Sequence, residues 1–130
     1  ASGALDKLTF LELEVNQIGD QGMVKFSEAL GKGALDKLTI LNLGDNKVGD
    51  QGMVKFSEAL GKEALDNLTI LGLGGNKIGN VGMRALADAV SSGRFPKCTS
   101  IWLTENPCSV APVEQALTRR KAESRMETPR

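Results

Sequence analysis

The chain has 130 residues and a mass of 13.8 kDa, the size of one ordinary domain. Its 16 basic side chains balance 16 acidic ones, so no net field favours nucleic acid or an anionic membrane as a partner. The sequence contains no histidine and only two cysteines, which removes the commonest general base and any cysteine-rich zinc site. Composition therefore predicts a non-enzyme without metal or cofactor. It also predicts no membrane span, because no apolar run approaches the ~20 residues that a span needs.

A segment of 30 residues is repeated along most of the chain. The copies occupy residues 3–32, 33–62 and 63–93, and a degenerate capping copy at 94–118 precedes a polar tail at 119–130. Asparagines recur 30 residues apart in all four copies, at Asn16, Asn46, Asn76 and Asn106. A fixed period of this length predicts one solenoid domain over 1–130, in which each unit buries its faces against its neighbours.

Within each unit the hydrophobic period changes from two residues to that of a helix. Leu11 and Leu13 alternate with outward positions, as in a short strand with one buried face. Met23, Phe26 and Leu30 then lie on one stripe of a helix. Each unit is therefore predicted to contain a strand, a loop, a helix and a second loop.

The helix ends carry typical capping residues. Asp20, Asp50 and Asn80 stand where each helix should start, and we expect their side chains to cap their own helices. Gly31 and Gly61 follow the last apolar positions, where a left-handed C-terminal turn favours glycine. The asparagines of the repeat are expected to satisfy backbone groups where the chain leaves each strand.

The frame LxxLxLxxNxIGDxG, followed by an amphipathic helix, resembles a leucine-rich repeat of the ribonuclease-inhibitor-like class and the sensor repeats of NOD-like receptors. The resemblance covers residues 5–117. It implies a curved α/β solenoid of about 3.5 repeats, with a parallel sheet on the concave side and helices on the convex side. It also implies an interaction scaffold. Ribonuclease inhibition and GTPase activation are weaker alternatives, because the chain is short and neutral and matches no GTPase-activating loop.

Units one and two differ only where the strand and the following loop lie. The helix and its exposed positions are unchanged, which favours a concave face diversified for partner contact. A recent partial duplication is the alternative explanation. The differing pairs are Phe10/Ile40, Glu12/Asn42, Glu14/Gly44, Val15/Asp45, Gln17/Lys47 and Ile18/Val48.

Stacked strands should place outward residues in columns that form a partner-binding surface. Its acidic side chains favour a protein partner with a basic patch. Its glycines leave a bare floor beside Trp102, a residue type enriched at binding hot spots, although turn flexibility and packing onto the cap explain these residues equally simply. The predicted binding residues are Phe10, Glu12, Glu14, Ile40, Asn42, Asp45, Ile70, Gly72, Gly74, Trp102, Thr104 and Glu105.

The N-terminal end and the cysteines add two further expectations. The segment ASGALDKL, residues 1–8, enters the first repeat directly with no amphipathic helix or hairpin to cover it, which allows self-association through an uncapped edge, or a longer array from which this chain is a fragment. Cys98 and Cys108 replace inward apolar positions of the repeat, so we expect small buried thiols and a cytoplasmic location; a disulfide between them is the alternative, although nothing in the spacing demands it.

Overall fold

The chain forms a regular succession of strands and helices in a computed structural model that describes residues 7–60 and 63–126. The strands make one parallel sheet in the order β1-β2-β3-β4, and each helix packs against the helix of the next unit. The predicted α/β solenoid is confirmed. Its elements are β1 (Phe10–Glu12), α1 (Gly19–Gly31), β2 (Ile40–Asn42), α2 (Asp50–Ala59), β3 (Ile70–Gly72), α3 (Asn80–Ser91), β4 (Ser100–Trp102) and α4 (Ala111–Met126).

The core lies between the sheet and the helices. In unit two, Leu41 and Leu43 from the strand side meet Met53 and Phe56 of α2, and all four are fully buried. The same frame positions are buried in unit three. Alternation along the strand and helical spacing in α2 thus direct the predicted apolar residues into one continuous core.

A ladder of asparagines ties the units together at the strand ends. The Nδ2 of Asn46 donates to the carbonyl oxygens of Leu13 and Leu43, at 2.9 and 3.0 Å. Its Oδ1 accepts from the backbone N–H of Asn16 at 3.1 Å, and Asn76 repeats the pattern one unit further on. Because this amide is buried and fully bonded, the predicted structural role of the asparagine column is confirmed.

The prediction that each aspartate caps its own helix is wrong. The Oδ1 of Asp20 accepts from the backbone N–H groups of Gly49 and Gly52, at 2.7 and 2.9 Å, and therefore caps the helix of the next unit. Asp50 does the same at the start of α3. A Cβ atom at Gly52 would lie 2.7 Å from that Oδ1 and 3.0 Å from the Cβ of Met23. This glycine keeps room for the neighbouring unit.

The helix C-termini also differ from expectation. Gly31 lies inside α1, and the left-handed residue is Gly33, with a φ of 92°. Gly61 lies outside the described residues. Helix α4 continues to Met126, so the predicted polar tail begins as helix.

Arg120 fastens α4 to the turn that precedes β4. Its guanidinium donates to the carbonyl oxygens of Val90 and Arg94, at 2.5 and 2.8 Å, and of Phe95 and Cys98, at 3.0 and 3.2 Å. It also lies 5.6 Å from the centroid of the Phe95 ring. Burial lowers the pKa of Arg120. Four carbonyl acceptors compensate for the partial desolvation of its charge.

Candidate partner-binding surface

The outward side of β1–β4, together with the residues that follow each strand, forms a continuous surface called here the sheet face. Parallel pairing sets its first two columns in register. The outer one runs through Phe10, Ile40, Ile70 and Ser100, and the central one through Glu12, Asn42, Gly72 and Trp102.

The outer column is apolar in its first three units and becomes polar at Ser100. Phe10 is 54% exposed, whereas Ile40 and Ile70 are half-buried. The exposed part of this apolar stripe therefore lies mainly at Phe10, on the first strand.

The central column begins with a hydrogen-bonded pair on β1 and β2. The Oε2 of Glu12 accepts from the Nδ2 of Asn42 at 3.2 Å, and its Oε1 accepts from the backbone N–H of Glu14 at 3.2 Å. The Oδ1 of Asn42 accepts from the backbone N–H of Gly44 at 3.0 Å. These bonds hold the amide and the carboxylate in place without covering them.

The side chains of Asn42 and Trp102 cover the outward side of Gly72. A Cβ atom at Gly72 would lie 2.7 Å from the Oδ1 of Asn42 and 3.4 Å from the Cε3 of Trp102. Both side chains therefore lean over this buried glycine, which corrects the expectation of a bare floor at that position. Trp102 is 51% exposed, so its packing leaves about half of the side chain open to solvent.

A third column follows the strands and carries the remaining glycines. Gly44 is buried and Gly74 half-buried, and exposed Glu14 and Thr104 flank them. A Cβ atom at Gly74 would lie 3.2 Å from the carbonyl oxygen of Thr104, a backbone atom. These two glycines form a shallow floor that a side chain would fill.

The next residues turn the chain away from the sheet in a left-handed conformation. Asp45 and Glu105 have φ values of 56° and 63°, and both are exposed. Gly75 occupies the same conformation at 68°, and a Cβ atom there would collide with the Asp45 carboxylate. The turn thus brings two carboxylates to the rim of the sheet face.

Among the described residues, no charged side chain of the sheet face forms an ion pair. The ion pair found in this part of the chain, between Lys55 and Glu58, lies on α2. Within residues 7–60 and 63–126, no cluster of acidic, cysteine or histidine side chains could hold a metal ion. The same residues include no helix long and apolar enough to cross a membrane.

A family model for leucine-rich repeats matches residues 6–27, 36–57 and 65–87, just over half of the chain. The chain belongs to the leucine-rich repeat family. None of the curated proteins compared with it gives a significant match. The family match does not assign the ribonuclease-inhibitor-like or NOD-like subclass.

Among solved structures, this leucine-rich repeat chain is similar to Leiomodin-1 Actin-Binding Site 2. The TM-score is 0.68 at 16% sequence identity, over 94% of this chain and 86% of that chain. At this identity the similarity shows a shared fold.

The sheet face of this leucine-rich repeat chain has an exposed residue that the predicted binding set leaves out. Val15 is 72% exposed and follows β1 at the position that Asp45 and Glu105 occupy in other units. An apolar residue among polar counterparts is the signal that points to it.

Proposed function

We propose that this leucine-rich repeat chain is a non-catalytic protein-interaction module that binds its partner through the sheet face. The half-exposed indole of Trp102 is the observation that carries this proposal. Tryptophan combines a large contact area with few rotatable bonds, and Trp102 is fixed on a paired strand. Phe10, on the opposite edge strand, supplies a second aromatic side chain on the same face.

Charge supports a basic partner. Glu14, Asp45 and Glu105 are exposed, and none forms an ion pair with another described residue. Arginine or lysine side chains on a partner would meet these carboxylates at little desolvation cost, which steers association and fixes orientation. Four strands at ~4.8 Å spacing offer a surface near or below the ~800 Å² per partner of a standard interface, so we expect modest affinity.

Two free thiols support a cytoplasmic location as part of this proposal. Cys98 is buried and Cys108 half-buried, and they are not bonded to each other. Unpaired cysteines are typical of proteins from reducing compartments.

The test compares immobilised wild-type protein with two matched variants. Trp102→Ala removes the aromatic side chain from the sheet face, and Val81→Ala truncates an apolar side chain, 63% exposed, on helix α3. Monomeric actin is the first defined probe, because the structural neighbour, Leiomodin-1 Actin-Binding Site 2, is an actin-binding site. Lysate proteins, identified by mass spectrometry and then purified, are the second.

We expect Trp102→Ala to weaken binding by about 2 kcal/mol, roughly 30-fold in Kd, because truncation removes a half-exposed aromatic side chain of the kind enriched at binding hot spots. The Val81→Ala variant should bind as wild type does. Equal affinity of the three proteins for every captured partner would reject the sheet face as the binding surface. Absence of binding to actin, with binding to another protein, would reject actin alone.

A further inference from the structure

Unit three carries glycine at every sheet-face position after the start of β3. Asn42 and Trp102 cover the first of these glycines, Gly72, whereas Gly74 and Gly75 are half-buried. Side chains of unit two lie on one side of them and side chains of unit four on the other. The depression whose floor is Gly74 and Gly75 is called here the glycine bay.

The carboxylate of Asp45 leans into the glycine bay from unit two. A Cβ atom at Gly75 would collide with its Oδ1 and would lie 2.9 Å from its Cγ. Backbone pairing continues to this point, because the N–H of Asp45 donates to Gly74 at 2.9 Å and that of Gly75 donates to Thr104 at 2.8 Å. Adjacent units are therefore still ~4.8 Å apart here, and the Asp45 carboxylate lies about one spacing from the position of Glu105 instead of two.

Unit four borders the bay with an acidic and an aromatic residue. Glu105 is exposed and left-handed, which places its side chain at the rim. Trp102 is half-exposed on the paired strand β4, and its Cε3 would lie 3.4 Å from a Cβ atom at Gly72. The indole thus leans toward unit three, as the Asp45 carboxylate does from the opposite side.

The two carboxylates of the bay lack a basic partner in the folded chain. The basic residues that follow most closely along the sequence are Lys47 and Lys77, two positions beyond the rim in their own units. In the part of the chain that the structure describes, neither forms an ion pair with Asp45 or Glu105. Two unneutralised carboxylates on one border favour a cation from a second molecule.

An arginine side chain fits the three bordering groups better than a lysine does. A guanidinium is planar, so it can stack on the indole of Trp102 while the N–H groups of its edge donate to carboxylates. A lysine ammonium is compact and strongly hydrated, and it has no planar face to stack. The glycine floor leaves space for the guanidinium that side chains at these positions would fill.

We propose that the glycine bay binds one arginine side chain of the protein partner. Its guanidinium stacks on the exposed part of Trp102 and donates to the carboxylates of Asp45 and Glu105. This assignment rests on the proposed function of the sheet face, and it names the side chain that the sheet face selects in a basic partner.

The test is an NMR titration with three blocked tripeptides, acetyl-Gly-X-Gly-amide, in which X is arginine, lysine or citrulline. Citrulline keeps the shape of arginine without its charge. We expect the arginine peptide to shift the indole N–H resonance of Trp102 and the amide resonance of Gly75, with a Kd in the millimolar range. The lysine peptide should bind roughly threefold more weakly or worse, and the citrulline peptide roughly tenfold more weakly or worse.

Two variants remove the carboxylate charges and keep the side-chain shapes. Asp45→Asn and Glu105→Gln should each weaken binding of the arginine peptide roughly fivefold or more, and asparagine tolerates the left-handed backbone at position 45. The matched control is Glu28→Gln, which neutralises an exposed carboxylate on helix α1 and should bind as wild type does.

Three results would overturn the arginine assignment. One is the absence of a shift at Trp102 and Gly75 with millimolar arginine peptide. Another is equal affinity for the arginine peptide and either of the other two peptides. The third is wild-type affinity in Asp45→Asn or in Glu105→Gln.

The outcome is separable from that of the capture experiment. A captured protein that depends on Trp102, together with any of these three results, keeps the sheet face as the binding surface and removes arginine as its target. An arginine-selective bay, together with captured proteins that bind Trp102→Ala as they bind wild type, keeps the arginine site and rejects the sheet face as the surface for those proteins.

Discussion

The second residue after Leu13, and its counterpart in each later unit, has a left-handed backbone. Asp45, Gly75 and Glu105 occupy this position in units two to four, and Val15 occupies it in unit one with a φ of 59°. Aspartate and glycine tolerate this region better than other residues do, whereas a β-branched side chain there is a steric outlier. Val15 is also 72% exposed, so it gains little from burial.

Val15→Gly is therefore expected to stabilise the protein. Relief of left-handed strain, roughly 1–2 kcal/mol, exceeds the added chain entropy of glycine, roughly 0.5–1 kcal/mol, so the free energy of unfolding should rise by about 0.5–1 kcal/mol. The control is Val81→Gly, at another exposed valine that lies in helix α3, and this variant should lose a few tenths of a kcal/mol. Urea denaturation measures both, and shifts of the same sign would contradict the assignment of strain to Val15.

At the scale of elements, the helices are joined by caps that reach across unit boundaries. Asp50 accepts two N–H groups at the start of α3, at 2.7 and 2.8 Å. Asn80, the corresponding residue of unit three, is exposed and faces a fourth unit in which Pro112 has no N–H to donate. The series of inter-unit caps therefore stops at α3.

Asp50→Ala should lower the free energy of unfolding by about 1–3 kcal/mol, because two part-buried N–H groups lose a charged acceptor. Asn80→Ala removes an amide from the same repeat position and should change stability by less than about 0.5 kcal/mol. Chemical denaturation of both variants provides the comparison. If both variants lose a similar free energy of unfolding, the hydrogen bonds between units do not account for the effect of Asp50→Ala.

The repeat made the elements predictable, and the junctions between them were less so. Regular spacing of Asn16 and its counterparts placed all four strands and the outward columns, since a 30-residue step fixes the register. Local capping rules consider only N–H groups two or three residues ahead, so they assigned Asp20 to its own helix. The N–H groups that Asp20 binds lie 29 and 32 residues ahead, in the next unit. Whether outward residues such as Trp102 bind a partner depends on a second molecule, which one sequence does not specify.

For the whole molecule, α4 closes the C-terminal end of the core. Val113, Ala116 and Leu117 are buried against it, and Arg120 binds the turn before β4. The sequence predicted the capping copy at 94–118, but the composition of 119–130 did not indicate the Arg120 contact, because a basic residue in a polar run is usually solvated. Cys98 lies beneath this contact, and its carbonyl oxygen is one of the four that Arg120 binds.

The reactivity of the Cys98 thiol should measure how well α4 covers this end of the core. Burial raises the pKa of Cys98 from 9.0 to about 11, so the thiol is protonated at neutral pH. Because the unfolded state ionises first, this residue lowers the free energy of unfolding as the pH rises from 9 to about 11. Below that window its contribution is constant.

Labelling with a thiol reagent at pH 8 should therefore show one fast cysteine, the half-buried Cys108, and one slow cysteine, Cys98. Arg120→Ala removes four hydrogen bonds that hold α4 over this site and should speed Cys98 labelling at least tenfold, while Cys108 reacts as before. Arg119→Ala, which truncates the exposed neighbouring arginine, is the matched control. If Cys98 reacts at the wild-type rate in Arg120→Ala, the guanidinium does not hold this end closed, and burial by Val113 and Leu117 alone protects the thiol.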